Sequence, residues 1–198
     1  MKEVHIDVEP DVECPFSADL VFSPKSPVSV SPSLSFILFV NGRCIQHTRI
    51  KLGIRRVLEQ YHDPRPGSMH QIALAPCSPF SVSGELLRQS ALLARQYGVR
   101  LHTHLCETKD EGHYTLEHYG VRPLEYMASL GWTGPDVWYA HGIHFNDEEL
   151  WELARTGTGV AHCPISNMKL SSGVARIPEM CKLGVPVGLA VDGSASND

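Results

Sequence analysis

From about Thr48 onward the chain alternates short apolar runs with segments of helical spacing, and this alternation narrows its possible folds more than any other feature. The apolar runs are Gln71–Ala75, Val99–His104, Val137–His141, Gly159–His162 and Val187–Asp192. Between them, Ile50–Tyr61, Ser83–Tyr97, Asp110–Tyr119, Pro123–Leu130, the segment from Asn146 to Arg155, and Ile177–Leu183 read as helices. Ser83 and Asn146 are residue types that cap helix starts, and Gly98 and Gly184 types that end them. Strands alternating with helices build parallel βα units, and strands apolar on both faces are those that helices or a barrel interior cover. The pattern predicts an α/β fold with five parallel strands. A chain of 198 residues can bury a substantial core but is short for a complete eight-fold barrel.

Before residue 50 the composition differs. Pro10, Pro15, Pro24, Pro27 and Pro32 stand among many serines without sustained periodicity, so residues 1–50 read as a divergent Pro/Ser-rich leader and 51–198 as the folded unit. Ser35–Val40 followed by Asn41-Gly42 fits a strand entering a tight turn, and its apolar run is too short to span a bilayer. A net charge of −5 gives no electrostatic reason to expect nucleic acid or an anionic membrane as partner. Six scattered cysteines with no CxxC pair, and no signal-peptide pattern, place the chain in the cytoplasm.

Four of the runs lead into residues able to bind metal or move protons: His104 with Glu107, His141, His162 and Asp192. In β/α barrels reactive residues sit at the C-terminal ends of strands, because the loops there form the pocket. A metal-dependent hydrolase holds its ion with neutral imidazole and carboxylate and keeps one position for water. His104 and Asp192 suit the ligand role. Glu107, three residues after His104, can stand beside a metal and carry a proton, and His141 can polarise substrate or orient water. His102 is read as facing away from His104 and is not counted as a ligand; His113, His118 and His144 read as surface residues. HExxH, GxSxG and phosphate-cradling glycine motifs are absent, and Pro76-Cys77 is followed by Ser78-Pro79-Phe80 rather than by a second cysteine three residues on.

Taken together, His104-Leu105-Cys106-Glu107, Ala140-His141-Gly142-Ile143-His144, Ala161-His162-Cys163-Pro164-Ile165-Ser166-Asn167 and Val191-Asp192-Gly193-Ser194-Ala195-Ser196-Asn197-Asp198 resemble the amidohydrolase superfamily. The nearest branch is the aminohydrolases of purines and triazines, and Ala75–Val82 is similar to 8-oxoguanine deaminases. The resemblance covers roughly Ile54 to Asp198. It implies a metal-dependent-hydrolase (β/α)₈ TIM barrel, of which this chain holds strands 4–8, and one divalent metal, zinc or in some members iron. It implies His104 and Asp192 as the fifth- and eighth-strand metal ligands, with Asp192 also taking a proton from the attacking water. Glu107 would protonate a ring nitrogen and His141 would hydrogen-bond water or substrate. His162 and Asn167 would line or brace the pocket, and Cys77, where related adenosyl-type deaminases carry histidine, would help choose the substrate.

The implied reaction is hydrolytic deamination of a small heterocycle, 8-oxoguanine foremost. One departure stands out: the family's His-x-His pair after its first strand has no counterpart before residue 102. The chain therefore reads as truncated, inactive alone, with open sheet edges at Gln71–Ala75 and Val187–Val191 for the leader or a second copy to cover. The competing reading is a non-catalytic barrel remnant serving binding or assembly.

Overall fold

The computed structural model describes the backbone of residues 35–40, 47–193 and Ser196, and side chains from Ile54 onward. Six strands form one parallel sheet in chain order: β1 (Ser35–Val40), β2 (Gln71–Pro76), β3 (Arg100–Leu105), β4 (Val137–His141), β5 (Gly159–His162) and β6 (Val187–Leu189). The helices between them are α1 (His47–Tyr61), α2 (Gly84–Tyr97), α3 (Lys109–Tyr119), α4 (Pro123–Ser129), α5 (Asp147–Thr156), α6 (Pro164–Lys169) and α7 (Ile177–Leu183). All five expected strands are present, and this βα succession is that of a partial β/α barrel.

The strand expected at Ser35–Val40 is β1, and it pairs with β2 from Ser35↔Gln71 to Val40↔Pro76, so a segment of the expected leader covers the edge at Gln71–Ala75. The proposed boundary at residue 50 falls inside α1. β6 is also shorter than its apolar run, because after the Ala190 N–H bond to the His162 carbonyl (2.8 Å) the chain turns and carries Asp192 at φ +62°. The turn at Asn41-Gly42 lies outside the described residues.

Local chemistry accounts for the helix ends. The Ser83 hydroxyl accepts from the Leu86 N–H (3.2 Å), and Gly98, at φ +65°, closes α2 in the left-handed region that a side chain would oppose. At α5 Asn146 and Glu149 cap each other's backbone N–H at 2.8 and 2.9 Å. Leu87, Leu101, Leu105, Leu124, Met127, Trp132, Tyr139, Leu150 and Leu153 are fully buried between sheet and helices. The two polar aromatics among them are satisfied: Trp132 Nε1 donates to the Leu87 carbonyl (2.8 Å), and the Tyr139 hydroxyl to that of Trp132. Among the described residues no helix is long and apolar enough to cross a membrane, and Cys77, Cys106, Cys163 and Cys181 are free thiols.

Candidate metal and proton-transfer site

The site is assembled where β3 and β4 end. His104 is the penultimate residue of β3, and the chain then turns through Cys106, at φ +55°, to bring out Glu107. Glu111, in the first turn of α3, holds that turn: its carboxylate accepts the N–H groups of Cys106 (2.6 Å), Glu107 (2.9 Å) and Thr108 (3.2 Å). β4 ends in His141 at φ +71° and Gly142 at φ +61°, and Ile143 and His144 donate their N–H groups to the Cys106 carbonyl at 2.9 and 3.0 Å. Glycine is required after His141 by more than its φ. A Cβ there would stand 3.0 Å from the Phe145 ring and 3.1 Å from Val160.

These turns converge their side chains. One donor atom each from His104, His141 and Asp192 lies within 4.8 Å of the others, and the two imidazole rings stack with centroids 5.5 Å apart. His141 Nε2 is 3.5 Å from a Glu107 oxygen and 3.9 Å from Asp192 Oδ2. The short helix α6 holds the cluster from outside: Ser166 donates to Asp192 Oδ2 (2.5 Å), and Asn167 Oδ1 meets His141 Nδ1 (2.8 Å). Ser172 donates to the other Glu107 oxygen at 3.2 Å. Two nitrogens and a carboxylate are the donor set of a catalytic zinc site, whose ligands stand about 3.4 Å apart when each is ~2.1 Å from the ion. The cluster fits such an ion after contracting modestly.

Charge follows from the same contacts. Hydrogen bonding to the Cys77 thiol raises His104 to about 9 against the opposing effect of burial, helped by the Cys77 carbonyl, and lowers the thiol itself. That carbonyl lies 2.6 Å from His104 Nδ1. Burial pushes the Asp192 carboxyl up, but the Ser166 hydroxyl, His141, the Gly193 N–H and His104 together bring it below its ordinary value. Burial lowers His102 to about 4 and so keeps it neutral.

The structure thus brings His104, Glu107, His141, Asp192 and Asn167 together and sets Cys77 against His104. His162 stands apart; among the described residues its Nδ1 is buried without a partner, and burial lowers its basicity. His102 does not face away from His104. Residues two apart in a strand share a face, and the two rings lie 5.9 Å apart, with His102 stacked on Trp138 at 4.8 Å. His144 is half-buried rather than superficial, its Nε2 paired with the Ser172 carbonyl (3.0 Å). Sequence reasoning missed Glu111, Ser166 and Ser172. Glu111 alone left a signal, as the acidic N3 partner of Thr108 in a capping box.

The amidohydrolase family matches residues 29–198. The chain belongs to that family. Among curated relatives, the 8-oxoguanine deaminase of Pseudomonas aeruginosa is 54% identical over 143 residues, which are 72% of this chain and 32% of that protein. An isoxanthopterin deaminase from an unknown prokaryotic organism is 42% identical over 146 residues, 73% of this chain and 30% of the relative. The chain thus spans about a third of the length of the curated relatives it matches. Among solved structures, the atrazine chlorohydrolase of Arthrobacter aurescens complexed with zinc superposes with a TM-score of 0.75 at 34% identity, covering 79% of this chain and 36% of that one.

Proposed function

We propose that this site belongs to a hydrolytic deaminase of purine-like heterocycles, with 8-oxoguanine as the favoured substrate. The observation that carries the reading is the convergence of His104, His141, Asp192 and Glu107 at the C-terminal end of the sheet of an amidohydrolase chain. The similarity to an 8-oxoguanine deaminase supports the substrate. His104 and Asp192 would hold one divalent metal, zinc or iron, which when bound supplies the Lewis acidity that activates water for attack. Asp192 takes the proton released by that water. Glu107, its second oxygen held by Ser172, delivers a proton to the ring nitrogen beside the attacked carbon. His141 hydrogen-bonds the water, and Cys77 and His162 contact the heterocycle. The carbon–oxygen bond forms first; the carbon–nitrogen bond then breaks as the proton taken by Asp192 passes to the departing amine and the added hydroxyl returns its proton to Glu107, so 8-oxoguanine and water give urate and ammonia.

The free thiols support a cytoplasmic setting, and the outer edges of β1 and β6 are where a second copy would pack. A second reading, a non-catalytic barrel segment that binds or assembles, draws on one observation: the sequence has no His-x-His before residue 102. Incubation of the full chain with zinc or iron and 8-oxoguanine, followed by ammonia and urate together, tests the proposal. Equal amounts of the two products support deamination. Neither product with either metal overturns it and leaves the second reading.

A further inference from the structure

Asn167 lies in the short helix α6, and its amide oxygen is 2.8 Å from Nδ1 of His141, the most buried member of the cluster at 1% exposure. A neutral imidazole carries a proton on only one nitrogen, and the partner of one nitrogen decides the state of the other. The partner of Nδ1 is Asn167. We propose that Asn167 is a positioning residue that fixes His141 in its Nδ1-protonated tautomer, so that Nε2 presents its lone pair toward the attacking water.

The chemistry of the neighbours supports this assignment. His141 Nε2 faces Glu107 at 3.5 Å and Asp192 at 3.9 Å and belongs to the donor cluster with His104. A proton on Nε2 would turn toward those carboxylates and remove the ring from the donor set. An amide oxygen on Nδ1 prevents this without adding charge, whereas a carboxylate in the same place would favour the imidazolium. Among the described residues Asn167 Nδ2 is buried without a partner, and the His141 contact is the one hydrogen bond that its side chain makes. The preceding residue of α6, Ser166, is fully buried and holds Asp192 Oδ2 at 2.5 Å. Two adjacent residues of one short helix thereby orient two members of the cluster, one through tautomer and one through carboxylate rotation.

The role in catalysis rests on the deaminase reading; the tautomer does not. The test is the ¹⁵N spectrum of the His141 ring in the full chain without metal, at a pH where the ring is neutral. Nδ1 protonated and Nε2 unprotonated is expected. Asn167→Asp, which keeps an acceptor, leaves Nδ1 protonated, and Asn167→Leu shifts the ring toward Nε2 protonation. An Nε2-protonated ring in the parent chain overturns the proposal, as does an unchanged Nδ1-protonated ring in Asn167→Leu. If the leucine variant does not fold, loss of Nδ1 protonation in Asn167→Asp overturns it equally. In the zinc-loaded chain Asn167→Leu lowers kcat about 10- to 100-fold with KM little changed, the range for residues that orient metal-site histidines. A parent chain with the expected tautomer but no ammonia release keeps this inference and sinks the enzymatic one.

Discussion

Glu111 carries the sharpest quantitative expectation. Its carboxylate, 5% exposed, accepts three consecutive backbone N–H groups at 2.6, 2.9 and 3.2 Å where β3 gives way to the loop that bears Glu107. Glu111→Ala leaves up to three donors without partners, each costing about 1–3 kcal/mol if it stays buried. The Cys106 N–H is the deepest of the three, and those of Glu107 and Thr108 can recruit water, so the sum falls near 3 kcal/mol. For a chain of this size that lowers the melting temperature by about 6–12 °C. Glu111→Gln keeps one acceptor oxygen but turns an NH₂ toward a backbone donor, and loses roughly half as much. Thermal unfolding by circular dichroism gives the magnitude, and amide exchange at Cys106, Glu107 and Thr108 gives the location. A loss under about 1 kcal/mol for the alanine variant, with exchange at those amides unchanged, would refute the anchoring role.

Acid should test the burial of His102. Its folded pKa of about 4 lies below the unfolded 6.5, so as pH falls through that window the unfolded chain takes up a proton that the folded chain refuses. Stability is lost on acidification, by about 2 kcal/mol from this group between pH 7 and pH 4.5. Urea unfolding of His102→Leu at the two pH values should show a loss smaller by that amount; an identical loss contradicts the burial argument. Gly142→Ala combines a φ of +61° with contacts of 3.0 and 3.1 Å to Phe145 and Val160. It should cost about 2 kcal/mol, read as a fall in melting temperature, and an unchanged melt would mean that the β4 turn is looser than described.

Much of the fold was legible because burial writes a period into the sequence. The strands Val137–His141 and Gly159–His162 and the helix Ile177–Leu183 match their runs residue for residue, since each is bounded by a glycine, a proline or a capping residue. Helix α6 was not legible: six residues opening with Pro164 are too few to display a helical period. β1 could not be distinguished from an isolated strand, because its partner β2 lies 36 positions on along the chain, at Gln71 opposite Ser35. Within the site, the histidines and carboxylates were visible as residues that end apolar runs. Their supports were not. Ser166, Ser172 and the Cys77 carbonyl act across gaps of 26, 65 and 27 residues, and a serine or a carbonyl carries no local sign of such a partner. The error at His102 came from misapplying the period of two, which the structure obeys.

The central claim is that His104 and Asp192 hold one metal beside His141 and Glu107, and calorimetric titration of the full chain with zinc tests it most directly. The account predicts one zinc per chain, abolished by His104→Ala and by Asp192→Ala while both variants keep the parent's circular dichroism. Absence of binding by the parent chain, or binding that survives both substitutions, would contradict it.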